Sequence, residues 1–73
     1  MKPTTLDARG LSCPQPVLLA FQAMREMGSG HLEILVDNEA SQENVRRAVV
    51  SQGWTPTITK LNENDYVLRC EKS

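Results

Sequence analysis

The residues of this chain best able to do covalent chemistry are two cysteines, Cys13 and Cys70, and one histidine, His31. Cys13 stands within Gly10-Leu11-Ser12-Cys13-Pro14-Gln15-Pro16, where an alternating segment gives way to an amphipathic one. Pro14 has its φ held near the helical value and lacks an amide hydrogen, so it suits the first position of a helix. Cys13 is then expected at the N-cap, its sulfur beside amide groups that have no partner inside the helix. Those amides and the aligned peptide dipoles favour thiolate over thiol. Pro16 falls in the first turn, where its missing donor costs nothing, and Gly10 permits the turn that leads in. The plainer alternative is a buried cysteine acting as a small hydrophobe. Two prolines that fix the backbone around it favour the reactive one.

A thiolate at a helix start can attack sulfur, a carbonyl or an electrophilic carbon. Acyl transfer also wants a general base, and His31 is separated from Cys13 by a helix and a glycine turn. A dithiol oxidoreductase would want its second cysteine where Pro16 stands. Two cysteines and one distant histidine make a poor zinc site, so no metal is expected. What remains is chemistry that a single thiol can do: taking up a sulfur atom as a persulfide on Cys13, holding it and passing it on. That needs no cofactor beyond the covalent sulfur itself.

The elements that must position this thiol follow from periodicity. The chain of 73 residues reads as a single domain spanning 1–73, with a net charge of −1, 40% hydrophobic residues and only 4% aromatic ones, hence an aliphatic core. Nothing in that balance steers it toward nucleic acid or an anionic membrane. Its N-terminus does not read as a signal peptide, and no run nears the ~20 apolar residues that span a bilayer. A cytoplasmic location with both thiols reduced is expected.

Thr4 to Ala8 alternates as a short strand with Leu6 and Ala8 inward. Pro14 to Met27 is a helix with the stripe Val17, Ala20, Phe21, Met24 and Met27, stopped by Gly28-Ser29-Gly30. Leu18 and Leu19 flank that stripe, either as margins of the core or as an apolar rim where a partner protein docks. His31 to Asp37 is a second strand with Leu32, Ile34 and Val36 inward, and His31 reads as a surface residue. Asn38 or Ser41 is positioned to cap a second helix, Gln42 to Gln52, whose stripe is Val45, Ala48, Val49 and Gln52. Arg46 and Arg47 lie off that stripe and read as solubilising charge. Trp54 to Leu61 is a third strand, set at an edge by Pro56, and Tyr66 to Glu71 a fourth, with Leu68 and Cys70 inward. Parallel pairing of the first two strands and a hairpin of the last two give an α/β (α+β) two-layer sandwich. Its order is β-α-β-α-β-β, with a mixed four-stranded sheet and both helices on one face. The opposite face would be mostly polar: Thr5, Asp7, Glu33, Leu35, Thr57, Thr59, Val67 and Arg69.

The run Leu6-Asp7-Ala8-Arg9-Gly10-Leu11-Ser12-Cys13-Pro14-Gln15-Pro16-Val17 closely resembles the signature of the TusA-like (SirA-like) sulfur-carrier proteins, with its Cys-Pro-x-Pro core. The resemblance extends through the glycine turn, the acidic end of the second strand and the final hairpin. It implies the two-layer sandwich, and a persulfide carried by Cys13. It further implies a cysteine desulfurase or other sulfur donor, and a downstream acceptor, often DsrE-like, in tRNA thiolation, cofactor assembly, sulfur oxidation or selenium metabolism. Asp37-Asn38-Glu39-Ala40 departs from the Asp-Asp-Pro of the best-known tRNA-thiolation members. With Glu43-Asn44-Val45 it looks more like the YedF-type branch. On this resemblance the chain is a sulfurtransferase that relays persulfide rather than a turnover enzyme. The competing reading is a non-catalytic regulatory or protein-interaction module in which Cys13 only caps its helix.

Overall fold

Alternation at a period of two and recurrence at three and four produce six elements in the order β1 (Thr4–Asp7), α1 (Gln15–Met27), β2 (Gly30–Val36), α2 (Glu39–Ser51), β3 (Thr55–Lys60) and β4 (Tyr66–Lys72). The structure, a computed structural model, describes residues 4–11 and 15–72. Ser12, Cys13 and Pro14 therefore lie outside the described residues, and with them the expected cap and the first helical proline.

The four strands form one sheet in the order β1-β2-β4-β3. β1 and β2 are parallel, with Thr4 opposite Leu32 and Asp7 opposite Leu35. β4 runs antiparallel to both neighbours, placing Leu68 between Ile34 of β2 and Ile58 of β3. β3 is an edge strand, as a proline at position 56 requires. The inward faces of Leu32, Ile34, Val36, Leu68 and Cys70 meet Ala20 and Met24 of α1 and Val45 and Val49 of α2 in one aliphatic cluster, closed by Trp54. Both helices thus cover a single face of the sheet, and full burial of each such aliphatic side chain contributes ~1.5–3 kcal/mol.

The local signals differ from the sequence expectations at the ends. α2 begins at Glu39, a turn earlier than Gln42, because Asn38 is its N-cap: the Asn38 Oδ1 accepts the Ser41 amide at 2.7 Å. Ser41 is itself buried on the helix's inner side. Gln52, expected on the apolar stripe, is instead the exposed C-cap residue, its amide already bonded to the Val49 carbonyl at 3.1 Å. Gly28, at φ +74, ends α1 with its amide on the Met24 carbonyl at 2.9 Å. β2 starts at Gly30 and ends at Val36, leaving Asp37 beyond the ladder; β4 runs on to Lys72. β3 starts at Thr55 and stops at Lys60, so Trp54 and Leu61 flank it.

The uncovered face carries a row Thr5, Glu33, Arg69 and Thr57 across all four strands. Arg69 Nε donates to Glu33 Oε2 at 2.9 Å, and Thr5 Oγ1 donates to Glu33 Oε1 at 3.4 Å. The next row is Asp7, Leu35, Val67 and Thr59, and here the expectation of a solvated face fails locally, since Val67 is only 5% exposed. Arg46 and Arg47 both turn back onto Glu43 of their own helix, at 2.6 and 3.2 Å.

Candidate functional site

Parallel strands bring the loops that follow them to the same end of a sheet. The chain leaves β1 and β2 at one end, and β4 enters there, with Tyr66 opposite Val36. Three connections therefore converge: residues 8–11 after β1, Asp37-Asn38 after β2, and the turn before β4. The first of these leads directly into Ser12-Cys13-Pro14.

Its backbone is held at each residue. Ala8 N–H continues the parallel ladder by donating to the Leu35 carbonyl at 2.8 Å, and the Ala8 methyl is buried. Arg9 folds back on Asp7: its backbone amide and Nε both donate to Asp7 Oδ1, at 3.1 and 2.9 Å, and Nη2 donates to Oδ2 at 2.9 Å. These bonds, the side-chain ones foremost, pull the Asp7 carboxyl down to about 2 and raise the Arg9 guanidinium. Arg9 Nη1 also lies 3.7 Å from Asp65 Oδ2 in the β3–β4 turn. That turn is organised by Asn62, whose Oδ1 accepts the amides of Asn64 and Asp65, each at 2.9 Å.

Gly10 adopts φ +80, a region that side chains with a Cβ rarely enter. In that conformation its amide donates to Asp37 Oδ2 at 2.7 Å. Asp37 Oδ1 accepts Asn38 Nδ2 at 3.1 Å, and Asn38 caps α2. One carboxylate thus joins the loop before Cys13 to the start of the second helix. Leu11 N–H then donates to the Ala8 carbonyl at 3.4 Å, closing the turn.

On the far side of residues 12–14, Pro16 is the second residue of α1 and is buried. Leu18 and Leu19 behave differently from one another. Leu18 is 58% exposed, whereas Leu19 is half-buried and packs against the core. Together with Leu11, Gln15 and Gln22 they line a shallow, mainly apolar groove. Its walls come from the residues that flank the Cys13 segment on both sides in sequence.

The other reactive side chains lie elsewhere. Cys70 is 1% exposed on the helix-covered face, its Sγ 3.6 Å from the Leu68 carbonyl, and burial pushes its thiol up to about 11. His31 is exposed near the start of β2, with Nδ1 3.6 Å from Glu71 Oε2 on β4. At ~3.3 Å per residue that is roughly 17 Å from Val36, at the end of the sheet away from Gly10. Among the described residues no cluster of His, Cys, Asp and Glu could hold a metal, and no helix is long and apolar enough to cross a membrane.

Asp37 and Asp65 do not stand out as site residues in the sequence, and Asp7 and Arg9 appear there only as members of the signature run. The available signal was topological: an aspartate directly after a parallel strand sits where the neighbouring strand's loop turns.

A six-element sandwich with a tethered loop and helix start at the carboxyl ends of its parallel strands matches a known class. Residues 4–72 match the family model described as sulfurtransferase TusA, and the chain belongs to that family. A candidate sulfur carrier protein of Methanocaldococcus jannaschii is 31% identical over 68 residues, 92% of this chain and 91% of its own. The sulfur carrier protein TusA of Pseudomonas entomophila is 32% identical over 50 residues, 67% of this chain and 62% of its own. The crystal structure of a SirA-like protein from Desulfitobacterium hafniense superposes with a TM-score of 0.89 at 28% identity, covering 96% of this chain and 97% of that one.

Proposed function

We propose that the protein is a sulfur carrier that takes up sulfur as a persulfide on Cys13 and relays it to an acceptor protein. The observation that carries this reading is the burial of Cys70. Cys70 is enclosed in the core with its thiol pushed up to about 11, so it is protonated and out of reach at neutral pH. The family's chemistry therefore falls to Cys13, in the Cys-Pro-x-Pro run between Leu11 and Val17.

The transfer is an exchange between sulfurs. The Cys13 thiolate attacks the outer sulfur of a persulfide on the donor, a cysteine desulfurase or another persulfide-bearing protein. The donor's S–S bond breaks, a new S–S bond forms on Cys13, and the donor cysteine leaves as thiolate. No net oxidation occurs, and the reverse sense of the same step hands the sulfur to a DsrE-like or other thiol-bearing acceptor. Residues 8–11 lead into the Cys13 segment along the chain, and Leu11, Leu18 and Leu19, which flank that segment in sequence, line an apolar groove.

Incubation with a cysteine desulfurase and cysteine, followed by intact-mass measurement, should add one sulfur atom. Cys13→Ser should abolish the addition, and Cys70→Ala, which keeps the core apolar, should retain it. No addition with any desulfurase tried, or sulfur found only on Cys70, defeats the proposal. Normal partner binding and transfer by Cys13→Ser would instead support a cysteine that only caps its helix.

A further inference from the structure

We infer that Asp37 is a positioning residue for the Cys13 thiol, acting through the backbone of Gly10; this rests on the sulfur-carrier reading above. Three observations meet at its carboxylate. Oδ2 accepts the Gly10 amide at 2.7 Å, the shortest of the bonds described for the loop 8–11. Gly10 itself is at φ +80, a conformation that residues with a Cβ rarely adopt. Oδ1 accepts Asn38 Nδ2 at 3.1 Å, and Asn38 caps α2, so the acceptor is anchored to a helix packed on the core.

The remaining restraints differ in kind. The Arg9 fork grips Asp7 within the same strand end, and its reach to Asp65, a partly buried group, is a long 3.7 Å contact to the β3–β4 turn rather than to α2. Among the described residues, only the Gly10–Asp37 bond ties the last turn before Ser12-Cys13 to the start of α2. Freed from it, Gly10 and Leu11 lose their tie to α2, so the segment that follows loses a fixed point of attachment, and small misplacements of a reacting group cost much in rate.

The test compares Asp37→Ala with Asp37→Asn. Asparagine keeps an oxygen that can accept the Gly10 amide but carries no charge; alanine removes the acceptor. Sulfur loading from a desulfurase should fall about tenfold or more in Asp37→Ala and be largely restored in Asp37→Asn. Fluorescence of the buried Trp54 reports folding in each variant. Should alanine unfold the domain, Asp37→Ser keeps a turn-forming residue too short to reach Gly10 and is expected to lose loading alike. A wild-type chain that loads sulfur while the folded Ala or Ser variant loads equally well overturns this inference alone. So does an Asn variant as impaired as Ala. A wild-type chain that takes no sulfur removes the function reading and this inference with it.

Discussion

Arg9 holds Asp7 with two parallel bonds, Nε to Oδ1 and Nη2 to Oδ2, each 2.9 Å, although two residues apart on an extended segment side chains ordinarily lie on the same face without meeting. The backbone amide of Arg9 reaches the same oxygen at 3.1 Å, so the chain is already turning at this pair. The fork does more than neutralise a charge: it starts the turn that runs through Gly10 to Leu11.

Acid should dissolve this fork. The Asp7 carboxyl is lowered to about 2 in the folded protein, chiefly by the Arg9 side-chain bond, against ~3.9 in an unfolded chain. A depressed carboxyl stabilises the fold above the unfolded value and loses that contribution as pH falls from about 4 to about 2. Urea midpoints measured from pH 6 to pH 2 should therefore fall more for the wild type than for Asp7→Asn, the two converging at the acid end. Parallel curves would mean that the pair is too exposed to matter.

Leu18 and Leu19 should separate under substitution. Leu18→Glu alters a side chain that is 58% exposed and should leave stability within the small range of surface changes, ~0.5 kcal/mol. It should nevertheless slow sulfur transfer to or from a partner that uses the groove. Leu19→Glu places a charge against the core cluster and should destabilise the domain outright. Equal stability of the two variants would contradict the packing described for Leu19.

Asn38→Ala removes the α2 cap at the Ser41 amide and should cost ~1 kcal/mol in equilibrium unfolding. Asn38→Asp or Asn38→Ser should recover most of it, because either side chain offers an oxygen at the same place. A cost near zero would show that water replaces the cap without loss.

Much of this architecture is legible in the residues because it rests on short-range rules. Leu32, Ile34 and Val36 alternate, Val45, Ala48 and Val49 recur at helical spacing, and both patterns survive intact in the core. Asn38 and Ser41 are both in the cap, one as acceptor and one as donor, where the spacing alone leaves them as alternatives. Cys70 faces inward because Leu68 does. The edge position of β3 follows from Pro56.

Pairings between distant residues are a different matter. Gly10 and Asp37 meet only because β1 and β2 lie parallel with Asp7 opposite Leu35, a register no local pattern encodes. Arg9 finds Asp65 only once β4 has been inserted beside β2. The burial of Val67 on the polar face has the same origin, since Leu35 and Thr59 become its neighbours through pairing rather than through adjacency. Gln52 departs from its expected place because helical periodicity does not say where the helix stops.

The strand order has a kinetic side. β4 comes after the other five described elements in sequence, yet it occupies an interior place in the sheet, between β2 and β3. Until it docks, β2 has only the four-residue β1 beside it and β3 has no partner, so Leu32, Ile34 and Val36 cannot be enclosed. Two-stranded fragments of this kind are marginal in water. Folding is thus expected to be a single late event that waits for Tyr66–Lys72, and a chain interrupted before that segment would expose an unpaired aliphatic strand to its neighbours, the condition under which nascent proteins aggregate.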